Sequence, residues 1–201
     1  AYKSFIEDPE TNPLPSESGK FELYSQAKAD SINNAGFTAT FKPYPTYQVP
    51  AIGFGSEGSE EYPFLCFNPH YYRRSHTVLD NVTWLREAWT QPVFLNRADA
   101  TEKGIADGDT VRVYNQFGGV LRQATLLETI MPGQVGLPHG AWVDMDEDEI
   151  NDLAGADNVL CGTIGDGMTV SGYNNYNVNY EKFDGEALVP DCERPQRIIE
   201  L

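Results

Sequence analysis

Short strand-like runs separated by turns constrain the fold of this chain more than any other feature. Between residues 64 and 137, short apolar or alternating runs are separated by segments rich in glycine, proline, asparagine and aspartate. Many short strands at close spacing, with one or two short helices among them, are typical of a β-barrel. The strands predicted are Phe64–Phe67, Val93–Leu95, Thr110–Tyr114, Val120–Leu127, Gln134–Leu137 and Asn177–Phe183. The sequence therefore predicts a mainly β protein, a barrel with short helical insertions.

Three helices and one further strand are predicted outside or between these runs. A strand is expected at Lys20–Tyr24, and helices are expected at Ser25–Asn33, Asn81–Trp89 and Arg97–Lys103. Asp80 or Asn81 is the expected N-cap of the second helix, because their side chains accept hydrogen bonds from the free N–H groups of a helix start. Asn96 is the expected N-cap of the third helix, and Gly104 stands where a left-handed residue often ends one.

The rest of the chain is predicted to be irregular. Residues 1–19 contain three prolines, which indicates a lead-in from a preceding domain. Residues 20–183 are expected to form one domain with a long insertion at 36–63, and loops of that length are usually functional or wrapped over another surface. Residues 184–201 are predicted to be a C-terminal tail.

The chain is strongly acidic. Its 14 Lys and Arg residues face 30 Asp and Glu residues, which gives a formal net charge of −16. A field of that sign opposes general binding to nucleic acid and to anionic membrane surfaces. A local basic cluster is therefore more informative here than in a neutral protein.

Targeting segments are not evident in the sequence. No apolar run approaches the roughly 20 residues needed to cross a bilayer, and no signal peptide is visible. The chain opens with Ala1 in a polar, proline-rich stretch. We therefore expect a soluble piece of a longer polypeptide, or a processed fragment, from which any export signal has been lost.

The cysteines and acidic residues do not predict a metal site. Cys66, Cys161 and Cys192 form no C-x-x-C pair, so neither zinc nor an iron–sulfur cluster is expected, although one disulfide pair stays open. Cys66 lies in an apolar run and is expected to be buried. The acidic run from Asp144 to Asp152 lacks the glycine and terminal glutamate of a calcium loop, so a solvated loop is the expectation.

A basic cluster follows the strand at Phe64–Phe67. His70, Arg73, Arg74 and His76 lie within seven residues and Thr77 follows. Guanidinium groups offer planar forks of donors that match phosphate oxygens, so the cluster is a candidate anion site. The alternative is that Arg73 and Arg74 form ion pairs with surface carboxylates of this acidic chain.

Asn96 and Asp99 mark a second candidate site at the start of a short helix. Backbone N–H groups at a helix start favour an anion, and the Asp99 carboxylate would accept hydrogen bonds from donor groups of a ligand. Plain helix capping is the alternative, and the two roles are compatible because an amide side chain both accepts and donates.

Several of these motifs together resemble a known family. The resemblance is to the C-terminal domain of the molybdopterin oxidoreductases of the dimethyl-sulfoxide reductase family, and most of all to the catalytic subunit of anaerobic dimethyl-sulfoxide reductases. It covers about residues 16–183. The matching segments, in the family's order, are Ser18–Ser25, Arg74–Thr77 with Asp80–Asn81 and Trp84–Glu87, Asn96 with Asp99–Ala100, Gly104–Ile105 with Asp107–Asp109, Val113–Asn115 with Phe117–Gly118, Met131–Gly133, His139–Trp142 and Asn158–Leu160.

The resemblance implies a double-psi β-barrel that covers one face of a bis(molybdopterin guanine dinucleotide) cofactor carrying molybdenum. The molybdenum ligand and the iron–sulfur cysteines of the family lie in other domains, so no catalytic or metal-binding residue is expected here and the fragment alone should be inactive. The expected cofactor-binding residues are His70, Arg73, Arg74, His76, Thr77, Asn96, Asp99, Asn115, His139, Gly140, Trp142, Asn158 and Asn177.

The resemblance further implies the partners and location of the intact enzyme. It would reduce dimethyl sulfoxide or a similar substrate in anaerobic respiration. Its partners would be the remaining domains of its own chain, an iron–sulfur electron-transfer subunit and a membrane anchor subunit, with no nucleic acid and no direct membrane insertion. It would work in the periplasm or on the outer face of the membrane.

Two alternatives follow from the residues without the resemblance. The acidity and the many aromatic residues also suit a secreted all-β module that binds carbohydrate or another ligand. A small self-contained enzyme on the same barrel would need a self-cleaving site, and the Gly-Ser dipeptides at Gly55 and Gly58 both lie in the irregular insertion.

Overall fold

The computed structural model describes residues 2–36, 40–47, 55–56, 58–161 and 176–196. These residues fall into two compact units, one within residues 2–47 and the other from residue 55 onward. No helix in the described part of the chain is long and apolar enough to cross a membrane.

The first unit contains two helices, α1 at Lys3–Glu7 and α2 at Gln26–Asn34. The helix predicted at Ser25–Asn33 is therefore confirmed. The strand predicted at Lys20–Tyr24 is wrong: Phe21 and Leu23 are 74% and 71% exposed, and the segment pairs with no strand among the described residues. Alternation produces a strand only where a neighbouring strand completes the hydrogen-bond ladder.

The second unit is a closed barrel. Its elements are β1 (Phe64–Phe67), α3 (Thr83–Ala88), β2 (Pro92–Asn96), α4 (Arg97–Glu102), β3 (Thr110–Asn115), β4 (Gly118–Leu127), β5 (Gln134–Gly136), β6 (Asn151–Asp152), a 3₁₀ turn (Asp157–Val159) and β7 (Tyr176–Lys182). The strand order is β2-β5-β1-β7-β3-β4-β6, and pairing of β2 with β4 closes the ring. Three pairs, β1–β5, β2–β4 and β4–β6, are parallel, and the other pairs are antiparallel. The fold is a double-psi β-barrel.

Six strands, β1 to β5 and β7, form where the sequence predicts them, within two residues, whereas the two-residue strand β6 lies in a segment that the sequence predicts to be a loop. In β3 buried and half-buried residues alternate, because Val111 and Val113 point inward and are fully buried. The hairpin to β4 pairs Asn115 with Gly118. The core is made of side chains from β1 to β5 and β7, including Cys66, Val93, Leu95, Val111, Val113, Val120, Val135, Tyr176 and Val178.

The two short helices of this unit differ in how they begin. Asn96 caps α4, since its Oδ1 accepts hydrogen bonds from the backbone N–H groups of Ala98 and Asp99, and Gly104 is left-handed at φ +71°. The α3 helix begins later than predicted, with Val82 rather than Asp80 or Asn81 at the N-cap. The Asp80 carboxylate is turned instead toward Arg74 and the backbone of Trp142.

Strand directions give the barrel two ends with different residues. Strands β1, β3 and β5 run toward one end, and β2, β4 and β7 start there. We call it the histidine end, because His70 follows β1 and His139 follows β5. Asn96 lies at the finish of β2, at the opposite end.

Candidate functional site at the histidine end of the barrel

The three histidines of the chain meet at the histidine end. Ring centroids lie 4.3 Å apart for His70 and His139, 4.8 Å for His76 and His139, and 5.5 Å for His70 and His76. The cause is the parallel pairing of β1 with β5, which brings the loops after both strands to the same place. The sequence predicted each histidine as a site residue, and the fold brings them into one cluster.

Burial and neighbouring charge make the imidazole of His139 harder to protonate. Partial burial lowers the pKa of His139, and the nearby His70 and His76 lower it further, whereas Asp157 acts in the opposite direction. A neutral imidazole has one N–H donor and one acceptor nitrogen. The cluster can therefore present both donors and acceptors to the edge of a heterocyclic ligand.

Hydrogen bonds fasten the basic loop after β1 to the segment after β5. The guanidinium of Arg74 donates to the Gly140 carbonyl at 3.0 Å and pairs with the carboxylate of Asp80. The other oxygen of Asp80 accepts from the backbone N–H of Trp142 at 2.9 Å, and the Trp142 indole N–H donates to the Thr77 carbonyl at 3.0 Å. These bonds fix His76 and Thr77 beside His139.

Gly140 lies where only glycine fits. Its φ is +83°, and an added Cβ would lie 1.8 Å from the carbonyl oxygen of His76. Its backbone N–H donates to Oδ1 of the buried Asp157 at 2.7 Å. His76 is itself left-handed at φ +54°. Close backbone packing, rather than a long side chain, therefore joins the two histidine-bearing loops.

Arg73 carries a buried positive charge. Its side chain is 1% exposed and forms ion pairs with Asp191 and with Asp80, the latter at 3.6 Å. Its Nε and Nη1 atoms find no hydrogen-bond partner among the described residues. Burial, together with the neighbouring Arg74, lowers the pKa of Arg73 to about 9. Arg73 and Arg74 thus do pair with carboxylates, as the alternative supposed, but in the interior rather than on the surface.

Asn115, Asn158 and Asn177 lie at the same end in different settings. Asn115 is buried and donates to the carbonyls of Leu160 at 2.8 Å and Asn177 at 3.2 Å, so it ties β3 to the segment before β7. Asn177 is also buried, and its Oδ1 has no partner in the described part of the chain. Asn158 is exposed in the 3₁₀ turn that follows Ala156.

Asn96 and Asp99 are not part of this cluster, because the length of β2 separates them from it. The Asn96 amide caps α4 and donates to the Ile130 carbonyl at 2.7 Å. Oδ2 of Asp99 accepts from the backbone N–H of Gly133 at 2.7 Å. Helix capping is therefore present, and these two residues mark a second location at the opposite end.

Sequence reasoning missed several buried polar residues that support the site. Arg122 in β4 donates to the carbonyls of Gly155, Pro92 and Pro138, and Gln91 donates to the carbonyls of Ala154 and Gly155 at 3.3 Å. An arginine inside an apolar strand was the available signal for Arg122. Gln91 and Asp157 lie in loops and gave none.

The acidic run is only partly solvated. Asp152 is fully buried and accepts hydrogen bonds from the backbone N–H groups of Asp144, Ala154 and Ala156, which shapes the loop leading to Asp157. Burial raises the pKa of Asp152 against the effect of these bonds. The expectation of a solvated loop is therefore wrong at this residue.

Charged side chains gather beneath the histidine end. Four guanidinium groups lie close together with four carboxylates; these residues are Arg73, Arg74, Arg86 and Arg122 with Asp80, Asp152, Asp157 and Asp191. Arg73 is buried, whereas the exposed His70, His76 and Thr77 are open to direct contact with a ligand.

No group of three or more His, Cys, Asp or Glu side chains within the described ranges is arranged to hold a metal ion. The three cysteines are free thiols, and burial raises the pKa of Cys66 and of Cys161 to about 12. Protonated, buried thiols are poor nucleophiles and poor ligands.

Comparison with known proteins identifies similar chains. Residues 64–178 match the family described as the Molydopterin dinucleotide binding domain, a region that begins with β1 and ends within β7. The chain is 38% identical to dimethyl sulfoxide reductase DmsA of Escherichia coli (strain K12) over 80% of its own length and 20% of the relative. It is 35% identical to the dimethyl sulfoxide/trimethylamine N-oxide reductase of Cereibacter sphaeroides over 85% of its length and 21% of the relative.

Among solved structures, acetylene hydratase from Pelobacter acetylenicus superposes with a TM-score of 0.64 at 20% identity, covering 88% of this chain and 25% of that one. At that identity the likeness concerns the fold. The chain spans about a fifth of the length of the curated relatives that it matches.

Proposed function

The chain belongs to the molybdopterin dinucleotide-binding domain family, and from this premise we propose that it holds bis(molybdopterin guanine dinucleotide) carrying molybdenum, within an oxidoreductase that reduces dimethyl sulfoxide or a similar oxide. The observation that carries the proposal is the convergence of three imidazoles over a buried arginine cluster inside the matched region. Family membership assigns the barrel to cofactor binding, so the carbohydrate-binding alternative drops out.

The histidine end would receive the pterin and phosphate portions of the cofactor. Imidazole edges of His70, His76 and His139 suit a heterocycle that both donates and accepts hydrogen bonds. Arg73 and Arg74 would place guanidinium groups near the phosphates, although both also pair with carboxylates. Thr77 would add a hydroxyl beside the histidines.

Four further residues would shape or extend this contact surface. Gly140 and Trp142 would hold their backbone against the ligand, since both are already fixed by Asp157 and Asp80. Asn158 would contribute an exposed amide, and Asn177 a buried carbonyl oxygen that has no partner within the described ranges.

Two other residues would act at a distance from the histidines. Asn115 already uses its amide inside the barrel, so it would orient the segment that carries Asn177 rather than bind directly. Asp99 would accept from the guanine base at the opposite end, beside the Asn96 cap. An extended dinucleotide can reach both ends of the barrel, whereas a small ligand cannot.

In this proposal the bound cofactor supplies the oxygen-atom transfer and redox chemistry. The residues of this chain bind and orient it and exclude water from one face. Other domains of the same polypeptide would complete the site, so residues 1–201 alone would be inactive.

The same proposal covers partners and location. An iron–sulfur subunit would deliver electrons and a membrane anchor subunit would hold the complex at the membrane. The intact enzyme would work in the periplasm or on the outer face of the membrane. Sequence similarity to the named reductases supports this part of the proposal.

The test is cofactor analysis of the complete polypeptide that carries this sequence, purified without oxygen. About two guanine nucleotides per molybdenum, released by acid hydrolysis, are expected from the composition of a bis-dinucleotide cofactor. His76→Ala should lower the cofactor content, whereas Tyr72→Ala, on the same loop with a side chain 77% exposed, should not. A polypeptide with neither molybdenum nor guanine nucleotide would refute the proposal.

A further inference from the structure

The C-terminal segment is irregular, as the sequence predicts, but it is held tightly to the barrel unit. Residues 184–196 contain no helix or strand. The segment is nevertheless tied at both ends: the backbone N–H of Leu188 donates to Oγ1 of Thr110 at 3.1 Å, and the Gln196 amide donates to the Asn81 carbonyl at 3.1 Å. Between these points Arg194 donates to the Leu153 carbonyl at 2.7 Å.

Within residues 184–196, Asp191 is the acidic residue whose carboxylate contacts buried arginine side chains. Its side chain is 13% exposed and forms ion pairs with Arg73 and, at 3.7 Å, with Arg86, whose side chains are 1% and 2% exposed. The carboxylate of Glu193, two residues further on, is exposed. The tail therefore supplies a specific counter-ion rather than general negative charge.

A continuous set of contacts links Asp191 to the histidine end. Arg73 lies 3.6 Å from the Asp80 carboxylate, which also pairs with Arg74 and accepts the backbone N–H of Trp142. Arg86 donates through Nε to the backbone carbonyl of Asp80 at 3.0 Å. Both arginines that contact Asp191 thus hold Asp80, the residue that fastens the loop bearing His76.

Removing the negative charge of Asp191 would leave Arg73 and Arg86 without one of their counter-ions. The Asp80 carboxylate would then be the counter-ion of both Arg73 and Arg74, and Arg86 would lose its ion pair with Asp191. An uncompensated charge in the interior is strongly destabilising, so the loop would move to bring a guanidinium group to water. The burial that already lowers the pKa of Arg73 is in line with this sensitivity.

We infer that Asp191 is a positioning residue of the cofactor site: as the counter-ion of Arg73 and Arg86, it holds the loop at residues 73–81 in the conformation that presents His76 and Thr77 beside His139. The inference rests on the proposed function, since it names a residue outside the matched region on which cofactor retention depends. Asp191 touches the loop and not the ligand.

The experiment measures guanine nucleotide per folded chain in the complete polypeptide, together with its unfolding temperature. Asp191→Asn keeps the shape and removes the charge, and Glu193→Gln is the matched control on the same segment. Asp191→Ala leaves space for a small carboxylate, so it is assayed in acetate and in chloride at equal ionic strength.

Asp191→Asn is expected to lower cofactor content about tenfold, in keeping with an unpaired buried charge, and Glu193→Gln is expected to match wild type. Acetate should restore part of the cofactor content of Asp191→Ala, whereas chloride should not. If Asp191→Asn unfolds at lower temperature yet retains the wild-type cofactor content, Asp191 contributes only to stability and the inference is overturned. Absence of guanine nucleotide from the wild type would refute the proposed function instead.

Discussion

The guanidinium of Arg74 donates a 3.0 Å hydrogen bond to the carbonyl oxygen of Gly140, which lies 66 residues further along the chain. The same glycine donates its N–H to Asp157 and lies against the backbone of His76. One residue without a side chain therefore joins the loop after β1, the loop after β5 and the 3₁₀ turn. The geometry of the histidine cluster depends on how closely these three backbones approach.

Replacing Gly140 by alanine should be far more costly than replacing another left-handed glycine. Gly140→Ala places a Cβ 1.8 Å from the His76 carbonyl oxygen, whereas at Gly108, with φ +86°, a Cβ meets nothing within 4 Å. Gly108→Ala should cost roughly 1–2 kcal/mol of unfolding free energy from the backbone alone. Gly140→Ala should cost a further 1–3 kcal/mol, roughly, from overpacking.

Denaturant unfolding of the two variants measures the difference, since both share the same backbone penalty. Equal losses of unfolding free energy would show that the close approach at Gly140 relaxes freely. In that case the site would not require glycine at this position for packing.

Removing Arg122 should destabilise the barrel strongly. Its guanidinium donates to the carbonyls of Gly155, Pro92 and Pro138 and is fully buried, which lowers its pKa to about 10. Arg122→Met removes all of these bonds and leaves the Gly155 carbonyl with Gln91 as a donor. Each buried group that is left unsatisfied costs about 1–3 kcal/mol.

The matched comparison is Arg97→Met, because the Arg97 side chain is 53% exposed and its pair with Glu128 is at the surface. That variant should cost less than about 1 kcal/mol. The measurement is the unfolding free energy of each variant. Arg122 would be dispensable to the barrel if the two losses were alike.

Local patterns predicted the parts of the fold that depend on neighbours in sequence. The β3–β4 hairpin followed from alternation around a glycine turn, and the Asn96 cap followed from a short polar side chain at a helix start. The same reasoning failed for Lys20–Tyr24, where the described residues offer no strand to pair with, and for Asp80, whose carboxylate is held by Arg74. The lack of a partner strand in the described part of the chain decided the first case, and the bonds of Asp80 to Arg74 and to the backbone of Trp142 decided the second.

The site was predictable residue by residue but not as an arrangement. The three histidines meet because β1 pairs with β5 in parallel. The alternation of apolar and polar residues along each strand does not specify which strands pair. The carboxylates that pair with Arg73 and Arg74 belong to Asp80 and Asp191. Sequence reasoning placed Asp191 only in an irregular C-terminal tail and assigned it no role in the site. The expected ligand came from the resemblance to a family. That Asn96 and Asp99 lie at the opposite end of the barrel from the histidines could be seen only in the structure.

His139 should make the protein less stable in mild acid. Burial and the neighbouring His70 and His76 lower the pKa of His139 below the 6.5 of an exposed imidazole, with Asp157 opposing them. The folded state thus disfavours the protonated form, so the stabilising contribution is complete above about pH 6.5 and is lost as pH falls through the folded-state pKa. The unfolding free energy of wild type minus that of His139→Asn should therefore decrease from about pH 7.5 to 5. Subtraction cancels the titration of groups that do not interact with His139, and a difference that is constant or rises toward low pH would contradict the prediction.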